Sequence, residues 1–107
     1  MPFVATVLYP QREGATFDMK YYLDTHMPLV DRIWKPAGLE KWEIQKLDLG
    51  MGGEKPPYSV AALLTFPDQA TCTAALGLAG SAEIFGDIPK FSSEQPVVMA
   101  GAVVGSG

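Results

Sequence analysis

The sequence predicts an α+β fold: a ferredoxin-like βαββαβ arrangement with a four-stranded antiparallel sheet. Three observations lead there. Apolar residues alternate in four short segments, which is the strand period. Two segments with helical spacing separate them in the order strand, helix, strand, strand, helix, strand. The length, 107 residues, suits one core of ordinary domain size, so residues 1–107 are read as one domain. With right-handed crossovers this order gives two split β-α-β units, both helices lying on one face of the sheet.

Residues 3–9 set Phe3, Ala5, Val7 and Tyr9 on one face and Val4, Thr6 and Leu8 on the other. Pro10 and Gly14 mark the following loop. Thr16 is the expected N-cap of the first helix, with Asp18 in its first turn where a negative charge suits the helix dipole. Phe17 and Tyr21, then Met19 and Leu23, keep helical spacing; Leu29, Val30, Ile33 and Trp34 resume it beyond Pro28. A proline there removes a donor and crowds the preceding turn, so two helical pieces meeting near Thr25–Pro28 are expected. Lys35-Pro36-Ala37-Gly38 ends the second piece.

A second strand covers about 40–49, Trp42 and Ile44 on one face, Leu47 and Leu49 shifted in phase, as at a bulge or an edge strand. Residues 50–57 form a loop whose glycines lack the spacing of a phosphate-binding motif. Tyr58–Phe66 reads as the third strand. Pro67-Asp68 starts a helix that runs to Leu78, with Gly80 beyond its end; a short turn or helix follows at Ser81–Phe85. Residues 86–91 connect to a last strand over Gln95–Val104.

Bulk composition narrows the partners. Hydrophobic residues make up 48% and charged residues 19%, which fits a packed chain and not a disordered one. Net charge is -4 with no basic cluster, so nucleic acid is not an expected partner. No apolar run reaches the ~18 residues that span a bilayer, and no membrane partner is expected. Met1-Pro2-Phe3-Val4 reads directly into a strand, without the charged start of a secretory signal. The single cysteine, Cys72, has no internal disulfide partner and no cationic neighbour to activate it. A cytoplasmic protein with a passive helix cysteine is the expectation.

Strands one, three and four are apolar on both faces, as in Val97, Met99, Gly101 and Val103 against Val98, Ala100, Ala102 and Val104. A solvated sheet face would alternate with polar side chains. The face without helices therefore needs a cover. Covering about 600 Å² of apolar area is worth ~15 kcal/mol before the costs of association. A second copy of the sheet is the simplest cover, so a homodimer is expected, with a cavity between the two sheets.

The chain's only histidine, His26, stands two residues before Pro28. Its side chain alone titrates near neutrality when unperturbed, which makes it the candidate general acid or base. Tyr22 lies one helical turn earlier on the same face and could orient a ligand oxygen. The alternative is that His26 bonds a carbonyl freed by Pro28 and only secures the helix. Tyr9, Trp34, Phe66 and Phe91 are candidate lining residues of an apolar pocket, as are Tyr58, Trp42 and Phe85, although aromatic residues at such positions also serve simply as core. Asp24 and Asp31 lie near His26 in sequence; Asp24 is off its helical face. Asp87 is a weaker polar candidate on a loop. One histidine, one isolated cysteine and scattered carboxylates make no metal-ligand set, and no serine stands in a nucleophile-elbow sequence. No metal and no cofactor is expected.

The segment Phe17-Asp18-x-x-Tyr21-Tyr22-x-x-Thr25-His26-Met27-Pro28-Leu29, entered from a strand ending Tyr9-Pro10, closely resembles the EthD family. Asp87-Ile88-Pro89-x-Phe91 before a Pro-Val-Val strand is similar to that family too, and the likeness covers almost the whole chain. The family is named for a gene cluster that degrades ethyl tert-butyl ether, where an oxygenase system does the main chemistry. The resemblance implies a dimeric α+β barrel, a fold shared with small decarboxylases, lactone isomerases, polyketide cyclases and cofactor-free monooxygenases. It implies a ligand cavity in each protomer and favours the cavity role for His26. Two functions remain open on this basis. One is a cofactor-independent enzyme acting on a small apolar, aromatic or carbonyl-bearing metabolite, with His26 moving a proton and Tyr22 holding the substrate. The other is a non-catalytic accessory protein that binds such a ligand for an oxygenase. A fold alone does not choose between them.

Overall fold

Alternation at the N-terminus builds β1 (Phe3–Pro10), and a computed structural model describing all 107 residues follows the predicted order from there. The helical stretch from Met19 to Trp34 is continuous. It comprises α1 (Met19–Tyr21), a five-residue π turn (Tyr22–His26) and α2 (Met27–Trp34). Asp18, not Thr16, caps it: the Tyr21 N–H donates to Asp18 Oδ1 at 3.0 Å. Thr16 is already engaged elsewhere, its N–H bonded to Ser93 Oγ and its carbonyl to Ser93 N–H, so the helix cannot begin until two residues later.

Pro28 does not break the helix into two pieces. In a regular α-helix its ring would press on the Asp24 carbonyl, four residues back, and leave that carbonyl without a donor. The backbone accommodates this by widening: the Met27 N–H bonds the Tyr22 carbonyl, five residues back. Beyond the π turn, Met27, Val30 and Trp34 return to three-to-four spacing and bury one face of α2 against the sheet. Gly38 closes this segment at φ +116°, and a Cβ there would run into the Thr71 methyl. Only glycine meets both conditions.

β2 (Lys41–Lys46), β3 (Tyr58–Phe66) and β4 (Val97–Ala102) complete an antiparallel sheet in the order β2-β3-β1-β4. Both end strands are shorter than expected. Leu49 lies outside β2 and is largely exposed, which accounts for its shifted phase. Phe3, Ala5, Val7 and Tyr9 of β1, with Val60, Leu64 and Phe66 of β3, form the floor of the core, and Trp42 and Ile44 of β2 pack against it.

Over that floor lie α2, α3 (Gln69–Leu76), α4 (Ser81–Gly86) and a 3₁₀ turn (Ile88–Lys90). Asp68 caps α3 by accepting the Thr71 N–H at 2.8 Å. Cys72 is buried in α3 with its thiol pushed up by burial, a packing residue as expected. Buried Ser81 joins the helices: its hydroxyl accepts the Trp34 indole N–H at 2.8 Å and donates to the Ala75 carbonyl at 2.7 Å.

The helices do not reach across β4. All six of its residues are exposed, including Val98 and Ala100, which register with Val7 and Ala5 on the helix side. The opposite face of the sheet, with Val4, Leu8, Leu63 and Met99, carries no layer of this chain. The molecule is a slab 19 Å thick across its shortest axis, room for one sheet and one helical layer.

Candidate functional site

Two distant parts of the chain meet beside the π turn. The backbone of residues 16–18 pairs with residues 91–93: Asp18 N–H bonds the Phe91 carbonyl at 2.7 Å, and Phe17 bridges Ser92. That pairing holds the 3₁₀ turn against α1, so Asp87, at the head of the turn, faces His26 across a sequence separation of 61. His26 Nδ1 is 3.0 Å from Asp87 Oδ2. Tyr21 donates its hydroxyl to Asp87 Oδ1 at 2.8 Å, and Lys90 Nζ stands 3.8 Å from the same oxygen.

His26 is 4% exposed and Asp87 8%. The imidazole is held between two rings, stacked on Tyr22 (centroids 5.3 Å apart, planes 13° apart) and tilted against Phe91 at 4.6 Å. Burial in this apolar slot lowers the His26 pKa below 6.5, while the Asp87 carboxylate pulls it back upward in part. Burial acts to raise the Asp87 carboxyl. The hydrogen bonds from His26 and Tyr21, with the charges of His26 and Lys90, outweigh it and hold Asp87 below its usual value. At neutral pH the pair is therefore an ionised carboxylate beside a neutral imidazole. An ionised carboxylate only accepts, so Nδ1 carries the proton and Nε2 the free electron pair.

Nε2 has no partner within the chain, and no buried side-chain nitrogen or oxygen is both sealed off and unpaired. The accessible part of the ring faces a cavity of about 40 Å³ between the helices and the sheet. Val7, Tyr9, Tyr22, Val30, Trp34 and Leu64 are among its walls. Burial pushes both the Tyr9 and Tyr22 phenols well above their usual range. Both stay protonated at any working pH, so Tyr22 retains a hydrogen to give. The mouth lies beside β4, where Phe85 and Val98 are both wall and exposed surface.

Of the residues singled out from the sequence, His26, Tyr22, Tyr9, Trp34 and Phe85 come together at this cavity, whereas Tyr58 and Trp42 do not line it. Phe66 does not reach it: fully buried at 0% exposure, it packs against Trp34 in the core beneath. Phe91 does not line it either, but supports the imidazole from beside. Asp24 pairs with Lys20 at the surface, and Asp31 accepts the Trp42 indole N–H at 2.7 Å. The cavity lies under the helices of one chain, because Val7, Tyr9, Ala62 and Leu64 point to the helix side. The residue that the sequence undervalued is Asp87. Its signal was the Asp-x-Pro-x-Phe spacing, which sets a carboxylate and an aromatic ring on one tight turn.

The lowered His26 pKa has a consequence for stability. The unfolded imidazole takes up a proton near 6.5, whereas the folded one resists it to lower pH. The unfolded state thus binds more protons in that window, and stability falls as pH drops through it. Melts between pH 8 and pH 5 are expected to be flat above about 6.5 and to decline below it. In a His26→Asn chain that step should vanish. A wild-type protein that becomes more stable between pH 6.5 and pH 5 contradicts the assignment.

Comparison with solved structures finds an EthD-like protein from Ralstonia eutropha at 29% identity and a TM-score of 0.86, over 99% of this chain and 95% of that one. An ethyl tert-butyl ether degradation (EthD) family protein from Bacillus halodurans matches at 20% identity and TM-score 0.77, over 97% and 100%. A dimeric ferredoxin-like protein of unknown function from Jannaschia shares the fold at 18% identity and TM-score 0.67, over 96% and 100%. No family model matches the chain, and a search of curated proteins likewise gives no match.

Proposed function

We propose that the chain, similar to EthD-like proteins over nearly its whole length, is a cofactor-independent enzyme in which His26 moves a proton on a small, neutral, carbonyl-bearing ligand. The observation that carries this reading is the His26–Asp87 pair, with Nδ1 tied and Nε2 open to an enclosed apolar cavity. Taking a carboxylate out of water is costly, and a container for an apolar ligand gains nothing from it. A general base gains both its tautomer and a counter-charge for the imidazolium it becomes.

The step follows from the geometry. Nε2 takes a proton from an acidic C–H or O–H of the ligand; the bonding pair stays on the ligand and moves toward its carbonyl oxygen. Tyr22, a permanent donor, would hold that oxygen as its charge grows. Asp87 offsets the positive charge at His26. Decarboxylation, isomerisation, cyclisation and oxygen insertion can each begin or end with such a proton transfer. The apolar walls supply most of the binding energy, and the few polar groups fix orientation.

Size limits the ligand. An apolar cavity that takes benzene has about 150 Å³, whereas this one has about 40 Å³. The reacting fragment is therefore only a few non-hydrogen atoms, and anything larger, an aromatic ring included, extends out past Phe85 and Val98. We further infer that the chain works as a homodimer, since the helix-free sheet face is apolar over three strands and the Jannaschia fold relative is dimeric.

A panel of neutral carbonyl and phenolic compounds tests the enzyme reading, with binding by calorimetry and turnover by product analysis for wild type and His26→Ala. Turnover in wild type that disappears in His26→Ala while binding persists is the expected result. Tight binding without turnover in wild type supports the accessory-protein reading in its place. If His26→Ala lowers only the melting temperature and leaves ligand behaviour unchanged, the site is misassigned.

A further inference from the structure

We infer that Tyr21, which lies outside the cavity, is a positioning residue: its hydroxyl locks the Asp87 carboxylate and thereby fixes which nitrogen of His26 carries the proton. This deepens the reading of His26 as a base and rests on it.

The geometry assigns each carboxylate oxygen one duty. Oδ2 receives the imidazole Nδ1–H at 3.0 Å, and Oδ1 receives the Tyr21 O–H at 2.8 Å. Lys90 Nζ, at 3.8 Å from Oδ1, adds charge without a hydrogen bond's directionality. Beyond them lies an outer cleft shared with Arg32 and Glu83, whose own charges pair with each other at 3.4 Å. Without the Tyr21 hydroxyl, Asp87 is free to turn toward Lys90 and that cleft. His26 then loses the acceptor that keeps the proton on Nδ1. On the cavity side the only other titratable neighbours are Tyr22 and Tyr9, both permanently protonated.

The π turn makes this arrangement possible. At 3.6 residues per turn, residues five apart on an α-helix point about 140° away from each other. A turn closed by bonds five residues apart winds less per residue and brings such residues closer to one face. Tyr21 and His26 are separated by five, and the widened turn from Tyr22 to His26 lets both reach one carboxylate. The backbone distortion next to Pro28 is thus the feature that assembles Tyr21, Asp87 and His26.

His26 is the only histidine, so its ring nitrogens can be read without assignment in a ¹⁵N-labelled full-length protein. Wild type should show the Nδ1–H tautomer across neutral pH. Tyr21→Phe removes one oxygen and keeps the ring stacked on Phe91, so the fold is expected to survive, as circular dichroism will report. The tautomer ratio should move by about tenfold or more toward Nε2–H, the scale of one hydrogen bond to a charged group. A folded Tyr21→Phe chain with the wild-type ratio and titration overturns the role given to Tyr21. A wild type that already carries its proton on Nε2 is a different failure, since it removes the free base from the cavity and with it the proposed chemistry.

Discussion

Asp87→Asn is expected to leave a folded chain whose turnover drops by on the order of 10³–10⁴, the loss seen when the aspartate of a catalytic triad is replaced in this way. The reason is specific to the hydrogen bonds here. Tyr21 donates to the oxygen at the Oδ1 position, so an asparagine at 87 would set its carbonyl there. The amide NH₂ would then face His26 Nδ1 and donate to it, where the carboxylate accepts. Nδ1 must become the acceptor, Nε2 takes the proton, and the cavity loses its base. Steady-state rates on whichever compound of the panel turns over, with binding measured in parallel, check the outcome. Binding should persist, because the cavity walls are untouched. The wild-type rate should rise with pH through a midpoint below 6.5 and then level off, since the neutral imidazole is the active form and its pKa is lowered. An Asp87→Asn chain with wild-type turnover would show that His26 does not depend on the carboxylate.

The fold was legible because its signals are local. Alternation over residues 3–9 and 58–66, the Pro67-Asp68 start and the double apolar face of the strands each need only a few neighbouring residues to be read. The stretch holding Tyr22, His26 and Pro28 was legible for the same reason. What local pattern could not supply is which element lies against which. Thr16 has the right side chain for a cap, but its backbone is taken by Ser93, seventy-seven residues on. Pro28 announces a disturbed helix; whether the chain breaks or widens depends on the packing of Met27, Val30 and Trp34 that holds both parts against the sheet. Phe66 and Trp34 have equal claims on a pocket by composition, yet only Trp34 reaches it. The partner of His26 is the clearest case. Asp24 is close in sequence and points away, whereas Asp87 arrives through the pairing of residues 16–18 with 91–93. That contact is long-range, and a single sequence carries no record of it.

The second large effect concerns the uncovered face of the sheet, where Met99→Lys is expected to split the proposed homodimer. Register places Met99 beside Thr6, Thr6 beside Leu63, and Leu63 beside Glu43, so one row runs from the β4 edge to the β2 edge. The neighbouring row runs Val97, Leu8, Ala61, Gln45. Apolar side chains thus cluster on β4, β1 and β3, and the polar ones, Lys41 among them, collect on β2. A patch offset toward one edge and rimmed by charge on the other suits a twofold contact, in which each copy covers the other's patch. In such an isologous interface one substitution appears twice. Two ammonium groups would be pressed into apolar surroundings, each losing hydration and gaining only a like charge nearby. Dissociation should strengthen by on the order of 10³-fold, or ~4 kcal/mol. Sedimentation at micromolar concentration should give twice the 11.5 kDa chain mass for wild type and the single mass for Met99→Lys. The monomer should keep its helical signal, since the core lies on the other side of the sheet. Edge-to-edge pairing of β4 strands is the competing geometry, because that strand has one side unpaired. Its main-chain bonds would tolerate Met99→Lys but not a proline at Val98. A wild-type chain that sediments as a monomer at these concentrations removes both geometries, and leaves the apolar face of β1, β3 and β4 without the cover that its composition calls for.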